Sequence, residues 1–276
     1  MGLTVYYDWK TKTDLPSARR MIAKFRAIAL KLPFDDVSEI HEQDPPDGKS
    51  PFRKFPPFRK YAHSFRQGGL YLSRTRGDGD QETVHVPALH ALFFSVRVQG
   101  AESALIGLAS HPPVVLHRED VIKRNKDGSE HTRLLGRGNP IEFATRRRGY
   151  YSWQSFCKTQ YAGNPKLGGE ANFLKAHLSL IELLDQIQAV GLSVRIRDDS
   201  KYAKHRDVDR LLRSLRSWDA IVASVVGTVS DALGNDSGSL IAPIKERLDF
   251  EHLEAKGIGV LRKIAARQRR RKRDSS

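Results

Sequence analysis

The sequence predicts an α+β fold with an N-terminal β-α-β unit, an antiparallel central sheet and a C-terminal pair of long amphipathic helices. Three observations predict it. The chain opens with a strand-like run followed by a helical period, its middle carries short apolar runs separated by turn signals, and its last third carries two long apolar stripes of helical spacing. With 276 residues, 39% of them hydrophobic, the chain is long enough to bury a substantial core.

The N-terminal β-α-β unit begins with the run LTVYY at residues 3–7, whose β-branched and aromatic composition is typical of a strand. Asp14 is a suitable N-cap for the helix that follows, and Pro16 falls in its first turn. Apolar residues recur at spacings of three and four as far as Leu32, and Pro33 ends the pattern. We expect the second strand at 37–43.

The middle of the chain begins with five prolines between residues 44 and 58 and two copies of PFRK, which indicate a proline-rich loop. Strands of the antiparallel sheet are then predicted at 70–74, 83–86, 89–98, 104–109 and 114–116, with RGDGD and NKDGSE as hairpin turns. The helical stripes run from Phe173 to Ile187 and from Val208 to Val229, and the segment RIRDDSKYAKH between them is predicted as a linker.

The domain organisation predicted from these patterns is simple. Residues 1–234 form a single α+β domain that includes a proline-rich loop at 44–60. A linker with a short helix follows at 235–256, and residues 257–276 form a basic mobile tail.

The charge of the chain indicates a polyanionic partner. Lys and Arg number 47 against 32 Asp and Glu, so the formal net charge is +15. Six of the seven residues from Arg267 to Arg273 are basic, and the PFRK repeats interleave cations with aromatic rings. The candidate nucleic-acid-binding residues are therefore Arg262, Lys263, Arg267, Arg269, Arg270, Arg271, Lys272, Arg273, Arg53 and Arg59.

The composition also narrows the class of protein. A single cysteine excludes an intramolecular disulfide and a four-cysteine zinc site, and no histidine pair has metal-binding spacing, so neither a metal nor a cofactor is predicted. We expect no membrane span, because no apolar run approaches about 18 residues. The first ten residues lack the pattern of a signal peptide, and we expect a cytoplasmic protein.

The segment from Ser155 to Asp185 is the strongest candidate for a ligand site, because polar and reactive side chains precede a glycine-rich turn and a helix. Cys157 as a nucleophile with His177 as its base is one interpretation. A buried cysteine, a histidine bonded within the core and a capped turn are the structural alternative. No catalytic residue is assigned, and the candidate ligand-binding residues are Trp153, Lys158, Thr159, Gln160, Tyr161, Asn172 and His177.

Short motifs in two parts of the chain resemble a family of uncharacterised proteins from large-genome environmental bacteria. They are GLTVYY at the start, LPF after the first helix, and CKTQYA, GG, NFLKAHLS and LLD between residues 157 and 185. The resemblance implies that Lys158, Thr159, Gln160, Tyr161, Asn172 and His177 belong to one constellation. It implies no activity and no cofactor.

The leading functional prediction is a non-enzymatic protein that binds nucleic acid or another polyanion, mainly through its C-terminal tail. Two alternatives stay open. One is an enzyme or small-ligand-binding protein with a polar pocket around residues 158–161 and His177. The other is a protein-interaction module for an acidic partner.

Overall fold

The computed structural model describes residues 3–43, 68–77, 79–118, 121–124, 130–134, 137–233 and 254–258. The predicted proline-rich loop at 44–60 and most of the predicted tail lie outside these residues. Within them the predicted α+β class is confirmed, with an antiparallel central sheet and long helices toward the C-terminus.

The central sheet has seven strands and is antiparallel at every pairing. The strands are β1 (Thr4–Lys12), β2 (Asp36–Val37), β3 (His41–Gln43), β6 (His90–Arg97), β7 (Ala104–Ser110), β12 (Tyr150–Lys158) and β13 (Val194–Asp198). Their order across the sheet is β13-β1-β12-β7-β6-β2, and β3 also pairs with β6. The N-terminal strand is therefore an interior strand of the sheet.

Three hairpin-like pairs accompany the central sheet. They are β4 (Leu70–Thr75) with β5 (Gln81–Val86), β8 (Val114–Arg118) with β11 (Pro140–Ala144), and β9 (Val121–Arg124) with β10 (Glu130–Leu134). The first two pairs share a small apolar cluster of Leu70, Val84, Val86 and Val115. The backbone N–H of Tyr71 donates to Gln154 Oε1 at 3.0 Å, which joins β4 to β12.

The helices are α1 (Leu15–Ala29), α2 (Gly169–Ala189), α3 (Tyr202–His205) and α4 (Val208–Leu233). As predicted, Asp14 caps α1, since its Oδ1 accepts from Ser17 N at 2.8 Å. Helices α1 and α2 cover one face of the sheet and form the main core with its strands, through Ile22, Phe25, Leu180, Ile181, Leu184, Val5, Tyr7 and Trp9. The opposite sheet face carries the alternate residues of each strand.

The prediction that residues around RIRDDSKYAKH form a linker is wrong, because Val194–Asp198 is the edge strand β13 and pairs with β1 from Val5 to Trp9. Its alternation of half-buried Val194 and Ile196 with exposed Arg195 and Arg197 is the period of a strand. The two strands of the predicted β-α-β unit lie in one sheet, but three other strands separate β1 from β2.

Helix α4 packs beside α2, where Leu211 and Leu215 form a second cluster with Leu3 and Phe173. Residues 254–258 are helical and lie against α4. There, a Cβ on Gly257 would overlap the backbone carbonyl of Ala220. None of the helices in the described ranges combines the length and the apolar character needed to span a membrane.

Candidate nucleic-acid interface

A gap between β12 and β7 shapes the sheet face that α1 and α2 leave free. The two strands pair through Tyr151 with Ser110 and through Ser152 with Ala109. Contact resumes at the end of β12, where the N–H of Lys158 donates to Glu102 Oε2 at 3.1 Å. Between these points the strands part.

Aromatic side chains provide the hydrogen bonds that strand pairing would otherwise make in the gap. Tyr7 Oη and Trp153 Nε1 donate to the carbonyl of Leu105 at 2.9 and 2.8 Å, and Trp9 Nε1 donates to the carbonyl of Gly107 at 3.1 Å. These donors matter because a buried carbonyl without a partner costs about as much as a lost hydrogen bond. The gap is therefore a stable feature of the sheet.

A cleft of about 1030 Å³ lies between this part of the sheet and the β4–β5 pair. Its aromatic walls are Tyr6, Tyr71 and Phe156, and polar groups come from Gln154, Ser155 and His85. A second cleft of about 450 Å³ continues along the sheet past Lys10 and Arg147. Tyr71 and Phe156 are each 49% exposed, which is high for aromatic residues.

A row of one cation and two rings crosses the sheet beside the cleft. Strand register places Arg197, Tyr6 and Phe156 side by side on β13, β1 and β12, and we call these three residues the cation–aromatic row. The Arg197 guanidinium lies 4.1 Å from the centre of the Tyr6 ring, and the Tyr6 and Phe156 rings are 6.0 Å apart. Adjacent strands are close enough for such side chains to interact directly.

Lys158 lies beside this row and is one of the predicted ligand-binding residues. Its Nζ is 3.3 Å from Glu102 Oε1 and 5.9 Å from the ring centres of both Phe156 and Tyr161. The hydrogen bond with the Glu102 carboxylate raises the pKa of Lys158 above its ordinary value. The ammonium group is therefore charged at neutral pH and remains partly exposed.

The charge on this face of β1, β12 and β13 is positive. Among the described residues, its cations are Lys10, Lys12, Lys158, Arg195 and Arg197. The carboxylates at or beside it are Asp8, Glu102 and Asp199. Arg195 pairs with Asp8 at 2.6 Å, whereas no ion pair in the described part of the chain involves Arg197. The surface thus presents cations next to exposed rings.

His177 and Thr159, also predicted as ligand-binding residues, belong to a buried polar network. His177 Nδ1 lies 2.9 Å from Thr159 Oγ1, and Nε2 lies 3.4 Å from Asp198 Oδ2 and 3.3 Å from Ser200 Oγ. His177 is 0% and Thr159 1% exposed. The network joins α2, the turn after β12 and the end of β13, so its immediate effect is to hold these elements together.

Burial tends to raise the pKa of Asp198, but hydrogen bonds from His177, the backbone N–H of Ala203 and Ser200 outweigh it and lower the pKa to about 2. The Ser200 hydroxyl donates to both carboxylate oxygens, at 2.7 and 2.8 Å. The carboxylate therefore stays ionised inside the protein, where these hydrogen bonds stabilise its charge.

Gln160 and Asn172 form hydrogen bonds with other groups of the protein. Gln160 Oε1 accepts from Leu3 N at 3.0 Å, and its Nε2 donates to Asp219 on α4 at 3.2 Å. Asn172 Nδ2 donates to the carbonyls of Gln99 and Ala162 at 2.8 and 3.0 Å. Of the predicted set, Tyr161 is 51% exposed and Trp153 lines the cleft. A ligand role for the whole set stays a prediction.

Cys157 is 3% exposed, and its Sγ donates to the carbonyl of Glu102 at 3.1 Å. Burial, with the nearby Glu102 charge, raises the pKa of the thiol to about 12. The thiol is therefore protonated at neutral pH, which is opposite to what a nucleophilic cysteine requires. His177 forms its hydrogen bonds with other residues.

Arg53, Arg59 and the eight predicted basic residues from Arg262 to Arg273 lie outside the described residues. Within the part of the chain that the structure describes, no group of three or more His, Cys, Asp or Glu residues is arranged to hold a metal ion. The predictions for the tail and the repeats thus stay predictions.

The cation–aromatic row was not predicted from the sequence. The alternation in TVYYDWK and in VRIRD was a local signal that Tyr6, Asp8, Arg195 and Arg197 would each share a face with their neighbours at i±2.

The chain matches no protein-family model, no curated protein and no solved structure.

Proposed function

We propose that this protein is a non-enzymatic nucleic-acid-binding protein that uses the open sheet face together with its basic C-terminal tail. The observation that carries the proposal is the cation–aromatic row beside a cleft, in which Arg197 and Phe156 are exposed and Tyr6 is half-buried between them. Cations that follow a phosphate backbone next to rings that stack on bases are the usual combination in such proteins.

The net charge of +15 supports the same proposal. Long-range attraction from a strongly basic chain concentrates a polyanion near the surface, and phosphate contacts then release counterions. The two clefts share Asp8, Tyr71, Trp153, Gln154 and Arg195, so they form one continuous track along the sheet. An extended polymer is a better match to such a track than a compact molecule.

The test is a salt titration of binding to short single strands of RNA and DNA, measured by fluorescence anisotropy with the full chain. For single strands, the slope of log K against log salt falls by about 0.7 for each phosphate contact. Lys158→Gln and Arg197→Gln should each flatten the slope by roughly that amount. Lys24→Gln, an exposed cation on α1, is the matched control and should leave the slope unchanged.

The tail is tested in the same assay by replacing Arg267, Arg269, Arg270, Arg271, Lys272 and Arg273 with Gln. We expect weaker binding with a flatter slope, because six candidate phosphate contacts are removed. If the wild-type protein binds polyglutamate as tightly as nucleic acid, the surface serves an acidic protein partner instead. Absence of binding to any nucleic acid near 100 mM salt would overturn the proposal.

A further inference from the structure

The cleft beside the cation–aromatic row is large enough for a nucleotide and has the lining of a site for a planar group. Its volume of about 1030 Å³ is at the upper end of ordinary small-ligand sites. Trp153 and Leu105 form part of its lining in the gap between β12 and β7, and Tyr71 and Phe156 form half-exposed walls. The opening exists because side chains of Tyr7, Trp9 and Trp153 replace strand pairing there.

From these features we infer that the cleft is a subsite for an unpaired nucleobase whose phosphate lies near Arg197 and Lys158. This inference rests on the proposed function and specifies its ligand as single-stranded. Bases within a duplex are stacked on one another, so exposed aromatic rings reach only bases that are free of a helix.

The polar groups of the cleft fit the edge of a base. Gln154 Oε1 accepts from the backbone N–H of Tyr71, so the side chain is held in place with its amide Nε2 as a donor at the cleft wall. Ser155 supplies a hydroxyl, and His85 lies against the Tyr71 ring at 5.1 Å. These groups sit between apolar surfaces, as in sites that stack a base and bond its edge.

The charge distribution favours this ligand over an apolar one. Arg197 lies over the Tyr6 ring at 4.1 Å, and Lys158 lies 5.9 Å from the Phe156 ring, so each ring of the row has a cation next to it. A phosphate on either side of a stacked base would meet one of these cations. A purely apolar ligand would gain nothing from either cation.

The experiment compares a fluorescent ten-nucleotide single strand, an abasic strand of the same length and a hairpin duplex, each titrated with the full chain at fixed salt. The abasic strand keeps the phosphates and removes the bases. We expect the base-bearing strand to bind roughly five-fold or more tighter than the abasic strand, the gain typical of one stacked base. The duplex should bind no better than the abasic strand.

Phe156→Ala and Tyr6→Ala should weaken binding of the base-bearing strand by roughly five-fold or more. Neither change should alter binding of the abasic strand. Phe156→Trp should retain the preference for bases, because the ring is kept. Leu30→Ala removes an exposed apolar side chain at the end of α1, far from the row in the sequence, and is the control. Circular dichroism of each variant confirms that the fold is kept.

A base with a phosphate could come from a free nucleotide or from a nucleic-acid strand. A mononucleotide competitor distinguishes these two ligands. If it displaces the strand at a concentration equal to the strand's own dissociation constant, the subsite is supported and belongs to a free nucleotide. If it competes only at far higher concentration, the subsite is supported as part of a polymer site.

Equal binding of the base-bearing and abasic strands, unchanged in Phe156→Ala, would overturn the base subsite while leaving polyanion binding in place. No binding of either strand would overturn the proposed function itself.

Discussion

Asp198 is a buried carboxylate whose folded-state pKa of about 2 is lower than the ordinary value of 3.8. As pH falls, the unfolded chain takes up this proton before the folded chain does. The stabilisation from this group is therefore complete above about pH 4 and is lost as the pH falls towards 2. A difference of this size corresponds to roughly 2 kcal/mol.

Asp198→Asn removes the ionisable group from the network and predicts a change in the pH dependence of stability. Between pH 5 and pH 2.5, the wild-type free energy of unfolding should fall more steeply than that of the variant, by roughly 1 to 2 kcal/mol. Urea denaturation at four pH values in this range measures both curves. Parallel curves would show that the network does not hold the Asp198 carboxylate in its charged form.

At the scale of elements, the contact between β7 and Trp153 controls the gap. A Cβ on Gly107 would overlap the Trp153 ring, which also stacks against Phe93 with ring centres 6.0 Å apart. Trp153 is fixed by its hydrogen bond to Leu105 and has little freedom to move aside. Glycine is needed at 107 for this close approach of a side chain to the strand.

Gly107→Ala should therefore destabilise the protein by about 1–3 kcal/mol, the usual cost of forcing an extra methyl group into a packed site. The matched control is Gly77→Ala in the β4–β5 turn, where no atom lies within 4 Å of the added Cβ. It should change stability by less than about 0.5 kcal/mol. Chemical denaturation of both variants gives the comparison, and equal effects would contradict the packing described for Gly107.

The elements that the sequence could predict were those with a complete local signal. Helix α1 has its cap at Asp14, its period and its terminating Pro33 within about 20 residues, and the prediction was confirmed. Strand β13 has only five residues, three of which are charged, and this is too short a pattern to distinguish an edge strand from a linker. The sequence allowed two interpretations of His177, a catalytic base or a buried core residue. Burial could be foreseen because Phe173 and Ile181 flank His177 on the apolar face of its helix.

The cation–aromatic row could not be predicted, because it depends on register over long sequence separations. Tyr6 meets Phe156 and Arg197 through pairings that span 150 and 191 residues. A local pattern predicts which residues of a strand share one face of the sheet, but it does not predict which other strand pairs with that strand. A shift of one residue in either pairing would place the rings on the helix-covered face.

At the scale of the whole molecule, the helical segment 254–258 anchors the point from which the basic tail continues. Gly257 is buried and lies against the Ala220 carbonyl and Ser224 of α4. A larger side chain has no room at this position. The attachment places the start of the tail at a defined point on the surface of α4.

Gly257→Val should release this segment from α4. Amide hydrogen exchange over residues 254–258 should quicken roughly five-fold or more, the equivalent of about 1 kcal/mol of lost packing. Ala255→Val adds methyl groups at a neighbouring exposed position and should leave exchange unchanged. The docked arrangement would be contradicted if both variants exchanged at the wild-type rate.

The interior position of β1 has a consequence for how the protein is made. Residues 4–12 leave the ribosome well over a hundred residues before their partners at 150–158 and 194–198. At a synthesis rate of about 5–20 residues per second, this strand waits on the order of ten seconds or more with both edges unpaired. Nascent chains with such distant pairings fold slowly and expose apolar surface meanwhile. Synthesis rate and chaperone supply should therefore govern its soluble yield.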